Sequence, residues 1–272
     1  MVGHDEQASF TQVTAGTPAD VWRRHPGWLA GDPVSLDGID RLVVLAAHPD
    51  DESLGAGGLV ATAARRGLRV DIVCATDGEG SHPDSPTHAP EELAQLRAEE
   101  GRRAAEALGV EGVTRLSLPD GDVAAHHGTL TDRVVEIVGD GPGAVVVAPW
   151  RRDGHPDHEA AGRAAATAAR RTGAHLWEYP IWFWHWAKPA QAPWSRLASF
   201  DLDEPALRAK RAAIRAHASQ IAPLSQLEGD ETLLPPELLA HFLDGPEHYV
   251  RTAFTAAGDE TGSVRIHGTS GE

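Results

Sequence analysis

The chain has a single cysteine, Cys74, among 272 residues, so no intrachain disulfide can staple the fold. Its place within "VDIVCAT" marks it as a small core residue on a strand rather than a reactive thiol. Lysine is almost as scarce, with only Lys188 and Lys210, so arginine carries nearly all the positive charge. Acidic residues outnumber basic ones by 40 to 24, a formal net charge of −16, and no basic stripe is present to replace phosphate counterions. That excludes a long nucleic-acid contact. No stretch approaches the roughly eighteen consecutive apolar residues of a membrane span, and none is expected. The first forty residues lack the basic start and apolar core of a secretory signal, which makes the cytoplasm the expected compartment.

What the sequence does have is rhythm. Short β-branched runs at 41–47, 69–75, 113–118, 144–149 and 175–179 alternate with Ala-, Arg- and Glu-rich stretches near 55–66, 91–108, 129–139, 156–171 and 204–218. Gly67, Gly109 and Gly173 stop three of those helices. Alternation of this kind predicts an α/β fold, Rossmann-like, with a mostly parallel sheet flanked by helices. One domain is expected over 39–256. It is preceded by a Pro-, Gly- and Asp-rich extended arm at 1–38 and followed by a loose polar tail at 257–272.

The polar loops fall at the carboxyl ends of the strands, where open α/β sheets bind ligands. "AHPDDE" at 47–52 follows the first strand, "TDGEGSHPDS" the second, "LPDGD" the third and "PWRRDGHPDHE" the fourth. His48 and Asp51 are three apart across a tight turn, and His155 and His158 are three apart at a helix start. One histidine and one carboxylate from the first loop, with one histidine from the second, make a three-ligand zinc site with an open position for water. A bound water still needs a base, which suits Asp50. It also needs a donor for the developing oxyanion, which suits a protonated His155 with Asp157 bonded to its ring.

These pieces, together with "RAEEGRRAAEALG" at 97–109 and "KRAAIRAHASQ" at 210–220, resemble the PIG-L or LmbE-like zinc N-deacetylases, in the family's order and across about two thirds of the chain. The resemblance implies an LmbE-like fold, zinc bound by His48, Asp51 and His158, Asp50 as general base and then acid, and His155 as oxyanion stabiliser. The substrate it implies is a small N-acetylated sugar conjugate of glucosamine type. It also directs Arg97 to the substrate side and His217 to the pocket lining. Family members that act on precursors of small thiols carry an aromatic residue close before the histidine pair. Here "RRDG" stands there instead, which disfavours that branch.

Asp153, with Arg151 and Arg152, is expected to touch a substrate hydroxyl or phosphate. In "LWEYPIWFWHWAKPAQAPW" the alternation of Trp182, Trp184 and Trp186 reads as one face of a strand, either core or an aromatic wall for the sugar, with Trp184 taken as the contact. Amide cleavage of a larger sugar or thiol conjugate, and a non-catalytic sugar-binding module, are the rival functions. A nucleotide site is disfavoured, because "GAGG" at 55–58 is not a full dinucleotide fingerprint. Homo-oligomerisation is left open.

Overall fold

The computed structural model describes residues 15–254 and 260–261. After a short helix α1 (Ala19–Arg23), the chain runs through β1 (Arg41–Ala46), α2 (Asp51–Arg65), β2 (Arg69–Thr76), α3 (Pro90–Leu108) and β3 (Val113–Leu118). It continues through α4 (His127–Val138), β4 (Ala144–Pro149), α5 (Pro156–Thr172) and β5 (His175–Tyr179). Then come α6 (Trp182–Trp186), β6 (Leu197–Phe200), α7 (Glu204–Ala216), α8 (Ala218–Ile221), α9 (Pro236–Leu239), β7 (Glu247–Phe254) and β8 (Glu260–Thr261). The expected strands and helices are present to within a few residues at each end.

Strand order is β3-β2-β1-β4-β5-β7-β6, with β8 pairing β7. The first five strands run parallel, and β6 and β7 close one side antiparallel. The period of two along β1 sorts its side chains onto two faces. Leu42 and Val44 join a cluster with Leu59 of α2, Leu108 of α3 and Ile214 of α7, whereas Val43 and Leu45 join Val134 of α4 and Ala164 of α5. Helix α5 presents Ala160, Ala161, Ala164, Ala165, Ala168 and Ala169 to the core, so its axis lies close to the sheet. At Gly162 the approach is tightest: a Cβ there would stand 2.4 Å from the carbonyl of Pro149. That closeness brings the start of α5 onto the end of β4.

Helix α2 is buried along nearly its whole length, under α3 and α7. The Gly58 and Leu59 amides, in the middle of that helix, both donate to the Glu247 carboxylate of β7 at 2.8 Å. Glu247 also accepts from Lys210 Nζ at 2.7 Å and Tyr249 Oη at 2.8 Å, so both charges of this buried pair are hydrogen-bonded. The "GAGG" stretch therefore serves helix packing.

Two expectations are corrected here. Residues 15–38 do not extend away from the domain but lie on it, because Trp22, Trp28, Val34 and Leu36 punctuate the Pro- and Gly-rich segment with apolar anchors that the core accepts. Trp22 donates its indole N–H to the carbonyl of Trp184 at 2.7 Å, and the Val34 amide donates to Ser199 of β6, which covers that strand's edge. Residues 1–14 of the expected arm lie outside the described residues, as does the expected tail except Glu260–Thr261, which pair with β7.

The second correction concerns the tryptophans, which fall on helix α6 and not on a strand. The Asp153 carboxylate accepts the successive amides of Ile181, Trp182 and Phe183 and so starts a helical turn directly after Pro180. With four residues per near-turn, Trp182 and Trp186 share a face and Trp184 takes the opposite one. Trp184 is 4% exposed and packs edge-on against Trp22 and Trp28, at ring-centroid distances of 4.9 and 5.5 Å. It is a core residue and does not line the cleft that His48 and His158 face, contrary to its expected substrate contact. Replacing Trp184 by Ala should accordingly cost about 3–5 kcal/mol of stability, read from the midpoint of urea unfolding. A loss under about 1 kcal/mol would contradict its core placement.

Candidate active site

Between β1 and β4 the strand order reverses, and loops leaving adjacent strands there part to open a crevice. A cleft of ≈170 Å³ occupies it. One wall carries His48, Asp50 and Asp51 from the β1–α2 loop and α2, and another carries His155 and His158 from the start of α5. Arg97 of α3 and Asp120, from the loop after β3, complete the polar side. The apolar side is Leu54, Ile181, Trp182, Leu233 and Leu234. The sequence-expected ligands and base thus meet at one place.

His158 is almost fully buried between two carboxylates, with Nε2 3.2 Å from Asp51 Oδ1 and Nδ1 2.8 Å from Asp153 Oδ2. Burial opposes its charge, but the two carboxylates prevail and lift its pKa to about 10. His48 lies 3.8 Å from Asp51 through Nδ1, while its Nε2 faces Asp120 at 3.1 Å and Asp157 at 3.3 Å. It too is held cationic against its burial, at about 9. Asp51 is kept well below the usual carboxylate range, its own burial outweighed by His158 and His48 and by the amides of Ala47 and His48 that it accepts.

Each of the two histidines therefore offers one nitrogen toward Asp51 and has the other fixed by an acidic partner, the arrangement in which metal-ligating imidazoles are found. One nitrogen each of His48, His155 and His158 lies within 4.8 Å of the others, a spacing that could hold a metal ion. The donor set of imidazole and carboxylate, largely removed from water, fits a divalent cation of the zinc type.

Asp50 stands at the turn into α2 with φ 138° and ψ −26°, outside the regions open to non-glycine residues. Its neighbours over-determine it. Glu52 Oε2 accepts its amide at 3.2 Å, and Arg97 grips both the Pro49 carbonyl at 2.7 Å and Asp50 Oδ2 at 3.1 Å. Glu52 is in turn braced by Ser53 Oγ and by His217 Nε2 at 3.4 Å. Burial raises the Asp50 carboxyl to about 6, with Arg97 pulling the other way.

Several expected roles move. Asp157 is turned toward other partners than the ring of His155. Its carboxylate goes to His48 and to the amides of Gly121 and Val123, because it sits inside the first turn of α5 and faces the β3 loop. Its backbone amide instead donates to His155 Nδ1 at 3.3 Å, which leaves the ring proton on Nε2. His155 is not cationic: burial, then the charges of His158 and His48, push its pKa down to about 3. Asp153 is fully buried behind His158 and is no substrate contact. Arg151 is committed to Glu178 at 2.8 Å, and Arg152 is exposed at the surface. His217 lies beneath the cleft as a brace for Glu52, and Arg97 reaches the cleft but is spent on holding Asp50. Sequence reasoning missed Asp120 and Glu52, although "LPDGD" and "AHPDDE" contain them. Of the three alternating tryptophans it chose Trp184 as the contact, whereas it is Trp182 that lines the cleft, its ring 6.5 Å from that of His155 at an interplanar angle of 23°.

Residues 43–169 match the family model described as PIG-L: GlcNAc-PI de-N-acetylase. The chain carries a PIG-L, LmbE-like domain. The chain is 32% identical over 126 residues to a diacetylchitobiose deacetylase of Thermococcus kodakarensis, a match covering 46% of this chain and 47% of that protein. The chain thus spans about half the length of that relative. A 1D-myo-inositol 2-acetamido-2-deoxy-alpha-D-glucopyranoside deacetylase of Mycobacterium sp. (strain KMS) is 28% identical, with 80% of this chain and 85% of that protein covered. Among solved structures, N,N'-diacetylchitobiose deacetylase from Pyrococcus horikoshii shares the fold with a TM-score of 0.53 at 22% identity, over 67% of this chain and 71% of that one.

If Asp153 fixes the LmbE-like domain's His158 for metal binding, Asp153→Asn should leave an acceptor for the 181–183 amides yet weaken zinc affinity by about 10- to 100-fold in chelator competition. Unchanged affinity would show that the carboxylate does not act through His158.

Proposed function

We propose that this protein is a zinc-dependent hydrolase that removes an N-acetyl group from a glucosamine-like sugar conjugate, with His48, Asp51 and His158 as the metal ligands. The observation that carries the reading is the meeting of Asp50 and the paired imidazoles in one cleft at the strand-order reversal. The two relatives named above are themselves deacetylases of acetamido sugars by name, which supports the same reaction class. Zinc in this site would supply Lewis-acid charge, polarising the amide carbonyl and bringing the pKa of water toward neutrality.

The chain's own groups do the rest. Asp50, fixed by Arg97 and Glu52, accepts a proton from the attacking water and later returns it to the departing amine. The conformation enforced on its backbone keeps the carboxylate in the cleft instead of capping α2. His155, neutral and protonated on Nε2, donates a hydrogen bond to the carbonyl oxygen as negative charge develops there, a task a neutral imidazole performs without first gaining a proton. Asp120 and Asp157 hold His48, and Asp153 holds His158, so the ligating nitrogens need not reorient during turnover. Trp182 offers a ring beside the apolar side of the cleft for the carbon-rich face of a sugar. The products are acetate and a free amine.

Mass spectrometry of N-acetylglucosaminides incubated with zinc-loaded protein should show a loss of roughly 42 mass units, one acetyl group replaced by hydrogen. Asp50→Asn should keep its zinc and lose about two to four orders of magnitude in kcat. Near-normal kcat with zinc retained would sink the assignment of Asp50. In His158→Ala, elemental analysis should find most of the zinc gone, and full stoichiometry would overturn the ligand set.

A further inference from the structure

Away from the reacting groups, Asp230 is a heavily hydrogen-bonded side chain just behind two segments that line the cleft. It lies in an irregular segment between α8 and α9, a place where carboxylates usually face water. Here it is fully buried. Ser85 Oγ donates to Oδ1, and Thr87 Oγ1, at 2.7 Å, and Ser225 Oγ both donate to Oδ2. Two of these hydroxyls belong to the loop between β2 and α3, and the third to the segment that carries Asp230 itself. The Asp230 carbonyl accepts the Leu224 amide at 2.9 Å, which closes that segment into a compact turn.

Further contacts join the same two segments. His82, buried, meets the Glu231 carbonyl through Nε2 at 3.0 Å. Gly229 has φ +95°, and a Cβ on it would stand 2.3 Å from the Asp84 carbonyl, so the backbones touch where no side chain fits. Beyond this junction, both segments reach the cleft. Gly80 and Ser81 line it from the β2–α3 loop, and Leu233 and Leu234 line it from the other segment. The Leu234 amide is pinned to the carbonyl of Gln220, another lining residue, at 2.8 Å.

We infer that Asp230 is a positioning residue for substrate binding: its carboxylate clasps the 224–234 segment to the 81–88 loop and so fixes the apolar lip of Leu233 and Leu234 against the polar edge of Gly80 and Ser81. The inference rests on the sugar-conjugate reading for the ligand it names. The clasp touches none of the reacting groups, so it acts on how well substrate is held and leaves the bond-breaking step alone. A carboxylate suits the task because it accepts from several hydroxyls at once, and burial strengthens those bonds.

Asp230→Ala should raise KM for an N-acetylglucosaminide by about ten-fold or more while kcat stays within about two-fold and zinc content is unchanged. Amide hydrogen exchange in 81–88 and 224–234 should quicken by at least about ten-fold, with the sheet strands unaffected. Should Asp230→Ala fold poorly, the double variant Ser85→Ala with Thr87→Ala removes two donors from the clasp and should show the same split. Asp230→Asn, which keeps acceptor capacity, should fall between the wild type and Asp230→Ala. Unchanged exchange, unchanged KM, or an equal fall of kcat in a variant of native zinc content each overturns the clasp. A wild-type protein that binds N-acetylglucosamine without hydrolysing it would defeat the proposed reaction alone, and Kd from calorimetry then replaces KM in the same comparison. A wild type that neither binds nor hydrolyses it overturns both.

Discussion

Taking charge out of water is costly, and this fold places a cluster of it at the carboxyl ends of two adjacent strands, β1 and β4. Asp50, Asp51, Glu52, Arg97, Asp153, Asp157, His158 and His217 are all buried. The arrangement survives because each charge finds its partner on another element: Asp51 of α2 with His158 of α5, Glu52 of α2 with His217 at the end of α7, and Asp50 with Arg97 of α3. A buried pair assembled this way adds little net stability, but breaking one member leaves an uncompensated charge. The helices are therefore held in register by the site as much as the site is held by the helices. Any displacement of α3, α5 or α7 would strand a charge.

Much of this was legible in the sequence. The short β-branched runs of β1 and β4, the glycine stops and the Ala-rich helices gave the parallel half of the sheet, since each signal is local. The clustered histidines of the cleft were legible for the same reason: His48 and Asp51, like His155 and His158, sit within one turn of each other. What local spacing cannot carry is partnership across the sheet. Asp153, adjacent to the histidine pair, read as a substrate contact because nothing in "RRDG" reveals that the next strand ends in Pro180 and delivers three amides to it. Asp120 was passed over because its partner, His48, lies in a loop two strands away.

The antiparallel edge was illegible on similar grounds. β7 reads "EHYVRTAF", in which a glutamate and a histidine begin a strand whose buried glutamate is answered by Tyr249 on the strand itself and, across the fold, by Lys210 and amides of α2. The tryptophans misled in the opposite direction. Their period of two is genuine, but one capping carboxylate decides that the segment winds into a helix, and winding sends Trp182 to the cleft and Trp184 to the core. The aromatic residue missing just before the histidine pair in sequence is thus present beside it in space, as Trp182.

The Glu247 contacts also constrain the order in which the molecule can be completed. Its carboxylate meets amides that lie 189 and 188 positions earlier in the chain. As the polypeptide leaves the ribosome, α2 and Lys210 emerge long before the residue that neutralises one and hydrogen-bonds the other. Until then, neither the α2 amides nor the Lys210 ammonium has this carboxylate as its partner. Contacts of such long range form slowly, so the lock that joins α2 and α7 to the seventh strand closes only once nearly the whole domain has been made.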